Sequence, residues 1–239
     1  NRDMLINREP GLQLFARKVL IQEKTTELLP DYLQFVQGVV DSEDLPLNVN
    51  RESMQANRVI GALKKTLTTK VLTELKRVMK NKPDEYHQIF ENFGRFLKQG
   101  VVVSPVEAAD IQPLFLFPST KSENADQWVS FEEYITRFAE NQQDIYYVVG
   151  DDFASVARSP HLDAFRQRGI EVLYLTDPVD AFMLMGLPDY KGHQLRSVDE
   201  ADIDLSSIGA VTGDETPQRD RLPDDSFTSL RDRFAAVLG

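Results

Sequence analysis

Cysteine is absent from the 239 residues, which excludes disulfides, thiolate nucleophiles and cysteine-ligated zinc or iron–sulfur centres. That absence suits a reducing compartment, and a cytoplasmic location is expected. Positive charge is scarce: 27 Lys+Arg against 38 Asp+Glu leave a net charge of −11. A chain so acidic is not built to track a phosphate backbone, so no nucleic-acid partner is expected. Long apolar runs are also missing. The longest, Val101-Val102-Val103 and Phe182-Met183-Leu184-Met185, fall far short of the roughly 18–20 residues that span a bilayer, and no membrane partner is expected. Residues 1–10 (NRDMLINREP) have neither an apolar h-region nor a small-residue cleavage site, so they do not read as a signal peptide. They also lack an initiating Met, and the chain is expected to begin inside a longer protein.

Catalytic signatures are missing too. There is no G-x-x-x-x-G-K-[ST], no G-x-G-x-x-G after a strand, no H-E-x-x-H and no G-x-S-x-G. His87, His161 and His193 lie far apart in the sequence, with no carboxylates at ligand spacing, and read as helix-surface or loop residues rather than metal ligands. The adjacent pairs Asp151-Asp152 and Glu132-Glu133 read as turns or helix starts rather than acid–base machinery. No self-contained active site and no metal site is visible.

What is present is the pattern of a folded chain, 41% hydrophobic and 27% charged, long enough for one large or two small domains. Residues 12–21 (LQLFARKVLI) read as one buried strand. After Pro30-Asp31, the spacing of Leu29, Leu33, Val36 and Val40 predicts a helix, followed by a loop over 41–50. Ile60, Leu63, Leu67, Val71, Leu75 and Val78 form one apolar helical stripe that Lys82-Pro83 stops. A second helix is predicted over 84–98, burying Tyr86, Ile89, Phe90, Phe93, Phe96 and Leu97, with Gly100 beyond its end.

From about residue 110, short apolar runs alternate with helices: strands over 114–117, 145–149 and 172–175, helices after Ser130 and through Phe165. Ser130 and Glu133 have capping-box spacing, Gly169 is placed to cap a helix C-terminus, and Asp177-Pro178 reads as a helix start. Alternation of this kind implies crossover connections and a mainly parallel sheet. The fold class is therefore α/β: two α-β-α lobes joined by a helical connector, the second lobe a small, mainly parallel sheet. The expected divisions are 1–57 for the end of a larger lobe, 58–109 for connecting helices, and 110–205 for the small lobe. A linker over 206–225 and a last helix over 226–239 complete them, with a further domain expected beyond.

One local feature stands against a rule. If the long helix begins after Asn50, Arg51 lies in its first turn, where the helix dipole disfavours a cation. Minor violations of this kind occur where a side chain must point outside its element. A guanidinium at such a junction is either a clamp for phosphate or an ordinary solvated arginine paired with Glu52 or Asp44.

Residues 39–60 (VVDSEDLPLNVNRESMQANRVI) resemble the catalytic-loop signature in the middle segment of the heat-shock protein 90 chaperones, nearest in their bacterial form. The preceding GLQLFARKVLI and LLPDYLQFVQG are similar to the strand and helix that lead into that loop. SENADQWVSFEEYITR, QQDIYYVVGDD, SPHLDAFRQRGIEVLYLTDPVD and KGHQLRSV follow the family's second lobe in order and spacing, so the resemblance covers about residues 11–205.

The resemblance implies that Arg51 reaches the γ-phosphate of ATP held, with Mg2+, by an N-terminal domain outside this chain. Asn48 and Gln55 would order the loop. No cofactor is expected on the chain itself, and alone it should hydrolyse nothing at a useful rate. Partly folded client proteins would contact a short helix in which Phe182, Met183 and Met185 supply apolar surface, while Ala181 stands where the family carries an acidic residue. The first lobe is expected to be incomplete, since the family has several strands before Gly11. The tail from Ser226 resembles the first helix of a C-terminal dimerisation domain, and the intact protein is expected to be a homodimer. Two alternatives stand beside this: a nucleotide-independent scaffold of two lobes, and a doubly wound lobe taking a small phosphorylated ligand at its strand ends.

Overall fold

The computed structural model describes residues 11–45, 54–200 and 203–209; of residues 54–57 only the helical backbone is described. Strands β1 (Gly11–Ala16) and β2 (Val19–Thr25) form an antiparallel hairpin, with Ala16 opposite Val19 across the two-residue turn Arg17-Lys18. The expected single strand over 12–21 is thus two. Apolar residues stand on both sides of the charged turn, but only Leu12, Leu14 and Ala16 on β1 face the core, while Val19 and Leu20 of β2 are exposed.

The helix expected near residues 29–40 is also corrected. A short 3-10 turn, Asp31–Leu33, buries Tyr32 and Leu33, and the chain then extends into β3 (Gln37–Ser42). β3 runs parallel to β1 and completes a sheet of order β2-β1-β3. The two valines side by side at 39 and 40 favour an extended backbone, and the register offered by β1 overrides the accidental helical spacing.

Helix α1 (Met54–Asn81) carries the expected stripe, with Leu75 buried and Ile60, Leu63, Leu67, Val71 and Val78 packed against the core; Leu72, outside that expectation, is buried too. Lys82 is the boundary and Pro83 opens α2 (Pro83–Val103). α2 does not stop before Gly100. It runs through it, because a Cβ at Gly100 would lie 2.8 Å from Tyr32 Cγ and 3.1 Å from Ile111 Cδ1, so this glycine serves close packing rather than a cap. After a 3-10 turn come the single-turn α3 (Ala108–Ile111) and the short antiparallel pair β4 (Leu116–Phe117) and β5 (Val129–Ser130).

α4 (Phe131–Thr136) begins on the predicted capping box: Ser130 Oγ accepts from Glu133 N at 3.2 Å, and Glu133 Oε2 accepts from Ser130 N at 2.9 Å. β6 (Ile145–Val149) has the predicted bounds. The short helices α5 (Phe153–Ala157) and α6 (Asp163–Gln167) cross to β7 (Leu173–Leu175). Gly169, at φ 67°, ends α6 as expected: its N–H donates to the Arg166 carbonyl and the Ile170 N–H to the Phe165 carbonyl, the paired bonds of a Schellman cap. α7 (Asp180–Met185) follows, then the hairpin β8 (Asp189–Tyr190) and β9 (His193–Ser197). The sheet order is β7-β6-β9-β8, parallel except at the edge strand β8.

Alternation along the small sheet shows why both of its faces are covered. Ile145, Leu173 and Leu175 point into a core continuous with α1, α2 and the first sheet. Tyr146, Val148 and Tyr174 point into a second core with Val156, Leu162, Phe165 and Ile208. The first residues of the expected linker belong to this lobe: Ile208 is buried, and Gly209 N–H donates to the Glu140 carbonyl at 2.9 Å. The helix expected over 226–239 lies outside the described residues.

Candidate functional site

Asn48 and Arg51 lie outside the described residues, and Gln55 is placed only as the second residue of α1. The structure describes how the chain enters and leaves their segment. β3 delivers it beside the C-terminal end of β1, with Phe15 opposite Asp41 and Ala16 opposite Ser42. Ser42 and Leu45 are buried. The Arg17-Lys18 turn lies against this exit. Lys18 N–H donates to both carboxylate oxygens of Asp41 at 3.2 Å, and Arg17 Nε donates to the Glu43 carbonyl at 3.2 Å.

Helix α7 divides its residues by helical period. Phe182 and Met185, three apart, are 40% and 77% exposed, whereas Met183 is 0% exposed and packs in the core. The expectation that Met183 contributes to an outer apolar surface is therefore corrected: the face holding 182 and 185 turns outward, and 183 faces the core. Gly186, ending the helix, lies so close to α2 that a Cβ there would be 2.8 Å from the Val101 carbonyl oxygen.

The start of α7 is fixed by a buried ion pair that the sequence reading did not find. Lys98 Nζ lies 2.5 Å from Asp180 Oδ1, and the side chains are 7% and 1% exposed. The other Asp180 oxygen accepts from Asp177 N at 3.0 Å, and Asp177 Oδ1 accepts from Val179 N at 3.1 Å. The helix start expected at Asp177-Pro178 is therefore corrected: Asp177 shapes the turn before the helix, which starts at Asp180 with Val179 at its N-cap. Burial pushes the Asp180 carboxyl above the usual carboxylate range; the Lys98 charge and hydrogen bond and the Asp177 amide pull it back. Lys98 Nζ also sits 5.0 Å from the centroid of the Phe117 ring. A signal existed: Phe90, Gly94, Leu97 and Val101 mark the inner face of α2, and Lys98 interrupts it.

An open cleft of ≈ 400 Å³ lies above this pair, walled by Trp128, Phe153, Tyr174, Pro118 and Pro178. Its buried cation is already matched by Asp180, which is not the chemistry of a triphosphate cradle. Two of the three histidines hold structural posts: His87 packs on Trp128 with centroids 4.0 Å apart, and His193 Nδ1 lies 2.6 Å from the Gln143 carbonyl. Among the described residues no group of three or more His, Asp or Glu could hold a metal ion. Nor is any described helix long and apolar enough to cross a membrane.

The family model described as Hsp90 protein matches residues 3–239. The chain is 39% identical to the chaperone protein HtpG of Pseudoalteromonas translucida over 239 residues, covering 100% of this chain and 36% of the relative. It is 44% identical to HtpG of Geobacter sulfurreducens over 196 residues, covering 82% of this chain and 30% of the relative. The chain thus spans about a third of the length of these curated relatives. Among solved structures, the middle domain of a heat shock protein from Plasmodium falciparum matches with a TM-score of 0.70 and 28% identity, covering 82% of this chain and 76% of that one. On its sequence over nearly every residue and on its fold, the chain belongs to the Hsp90 family of chaperones, of which it has the middle-domain architecture.

Proposed function

We propose that this chain is the middle segment of an ATP-dependent chaperone, working in the cytoplasm as part of a homodimer. It supplies the Arg51 guanidinium to the γ-phosphate of ATP that a separate N-terminal domain holds with Mg2+. A planar, permanent cation brought up as the domains close offsets negative charge where it develops on the transferring phosphoryl group, and this requires no proton transfer by the arginine. Asn48 and Gln55 order the loop around it. Phe182 and Met185 form part of the surface that takes apolar segments of partly folded clients.

The observation that carries the reading is the run DSEDLPLNVNRE, which joins the first sheet to the 28-residue helix in a chain with this family's middle-domain fold. The test is Arg51→Ala in the full-length protein. Steady-state ATP turnover is expected to fall about 10²-fold, as for loss of one preorganised donor, with ATP affinity retained. Unchanged turnover would remove Arg51 from the mechanism.

A further inference from the structure

The open cleft beside the Lys98–Asp180 pair has α2 on one side and, on the other, the 116–128 segment with the end of β7. Its volume of about 400 Å³ falls within the range of ligand pockets, about 300–1,000 Å³, and gives room for a large side chain and the peptide groups beside it. The walls are aromatic and already braced. Trp128 Nε1 donates to the Ala125 carbonyl at 2.6 Å, so the indole N–H is satisfied within its own loop and the ring offers apolar surface. His87 and Phe90 pack edge-on against that ring, with centroids 4.0 and 5.7 Å away. Phe90 lies over Gly94, where a Cβ would come within 2.9 Å of its ring. A glycine inside a helix costs about 1 kcal/mol against alanine, and here it keeps the Phe90 ring close to α2. Across the cleft, Phe153 packs edge-on against Tyr174 at 5.4 Å. Side chains held in this way lose little further freedom when a guest binds.

The charges around the cleft narrow what that guest is. Lys98 Nζ sits 5.0 and 5.9 Å from the ring centroids of Phe117 and Phe90, both of them walls. An ammonium carries three donors, and Asp180 matches its charge, so Lys98 keeps N–H groups that an uncharged acceptor can use. Two cations, Lys98 and Arg95, line the cleft with three carboxylates, Glu91, Asp177 and Asp180. That excess of carboxylates, in a chain of net charge −11, turns an anion away, and the ammonium repels a cation. An aromatic body beside a neutral carbonyl meets both conditions.

We propose that this cleft takes an aromatic side chain of a partly folded client, with a neighbouring peptide carbonyl of the client accepting from Lys98. The proposal rests on the reading of this chain as a client-contacting segment and deepens it. Asp180 of the cleft is the first residue of α7, and Phe182 and Met185 stand exposed on the same helix, so the cleft adjoins the surface already assigned to clients. The outer face of α7 then supplies general apolar contact, and the cleft supplies a preference for aromatic residues.

The test uses the full-length protein and a short, end-capped peptide of glycine, serine and asparagine around one phenylalanine, beside the same peptide with glutamate or lysine at that position. Isothermal titration is expected to show the phenylalanine peptide binding about tenfold more tightly than either charged one. With benzoylphenylalanine in its place, photo-crosslinks on the unchanged protein should map to residues 90–98 or 116–128. Ala125 is exposed at the cleft wall, and its carbonyl rather than its side chain holds Trp128. Ala125→Phe is therefore expected to fill the cleft, weaken the phenylalanine peptide about tenfold and leave the unfolding midpoint unchanged. Equal binding of the three peptides, or none, overturns the proposal. So do crosslinks confined to other segments, a result that depends on no variant's fold. Should Ala125→Phe bind like wild type while Phe182→Ser with Met185→Ser binds more weakly, the cleft fails and the α7 reading stands. Loss in Ala125→Phe alone supports the cleft and removes the outer face of α7. Should both variants bind like wild type, both readings fail.

Discussion

Gly100 of α2 lies against the ring of Tyr32, with room for a hydrogen but not for a methyl group. Tyr32 is buried and donates its hydroxyl hydrogen to Glu107 Oε2 at 2.7 Å, so the ring is held at both ends. Within a helix, alanine is favoured over glycine by about 1 kcal/mol. Here the extra methyl would meet a ring that cannot retreat, and overpacking of this kind costs about 1–3 kcal/mol. Gly100→Ala is therefore expected to lower stability despite its better helix propensity, by a net amount of about 1 kcal/mol. Urea unfolding checks this, and a stabilised variant would show that the 3-10 turn at Tyr32 can yield.

The same position shows how far sequence reasoning reaches. A glycine near the end of an apolar helical pattern reads as a cap, and for Gly169 that reading is correct, because its signals are local. Gly100 is governed by Tyr32, a partner 68 residues earlier, which no local pattern reveals. The β6 strand and the Ser130 capping box were legible for the same reason that Gly169 was. The hairpin hidden in residues 12–25 was not, because its turn lacks the glycine or asparagine that marks such turns. Of the candidate site, the outward pair on α7 could be read from helical spacing. The Lys98–Asp180 contact could not, since it joins residues on separate elements.

That contact makes a distinct prediction. Removing one partner of a buried pair leaves the other charge uncompensated, at a cost of about 3–5 kcal/mol. Lys98→Met should destabilise the protein by this order at neutral pH. Without the lysine, the Asp180 carboxyl moves further above its ordinary value. A folded-state pKa raised above the unfolded one means that the folded state holds the proton longer, so stability falls as pH rises through that interval. The variant's deficit is therefore expected to shrink on acidification. Adding Asp180→Asn, which keeps an oxygen for the Asp177 amide, should recover most of the loss and remove its pH dependence. A deficit independent of pH would contradict this assignment.

Glu132 behaves in the opposite sense. It ion-pairs with Lys191 and accepts from the Tyr190 hydroxyl at 2.6 Å, tying α4 to the β8–β9 hairpin. The Lys191 hydrogen bond, then that of Tyr190, hold its carboxyl below the usual carboxylate range. A folded-state pKa below the unfolded one gives stability that is present above the unfolded value and lost as pH falls through the folded one. The pair is half-exposed, so the effect should stay within about 1 kcal/mol and weaken with salt. Glu132→Gln should flatten this part of the acid limb in a pH series of unfolding midpoints. An unchanged acid limb would mean that the contact adds nothing measurable.

Phe182 and Met185 bear on the client surface. Both stand out from α7 while Met183 anchors the helix beneath them, so the outer face can be changed without opening the core. Phe182→Ser with Met185→Ser is expected to leave the unfolding midpoint within about 0.5 kcal/mol of wild type, as exposed substitutions usually do. In the full-length protein the pair should weaken binding of a partly unfolded polypeptide by about tenfold, since a few exposed aromatic and methionine side chains carry much of such contacts. ATP turnover without client should not change, because neither side chain lies on the β3–α1 path. Met183→Ser is the informative contrast: it buries a hydroxyl in the core and should cost several kcal/mol, so any loss of client binding would follow loss of fold. Equal client affinity in wild type and the double variant, measured by fluorescence anisotropy on folded protein, would place the client surface elsewhere on the chain.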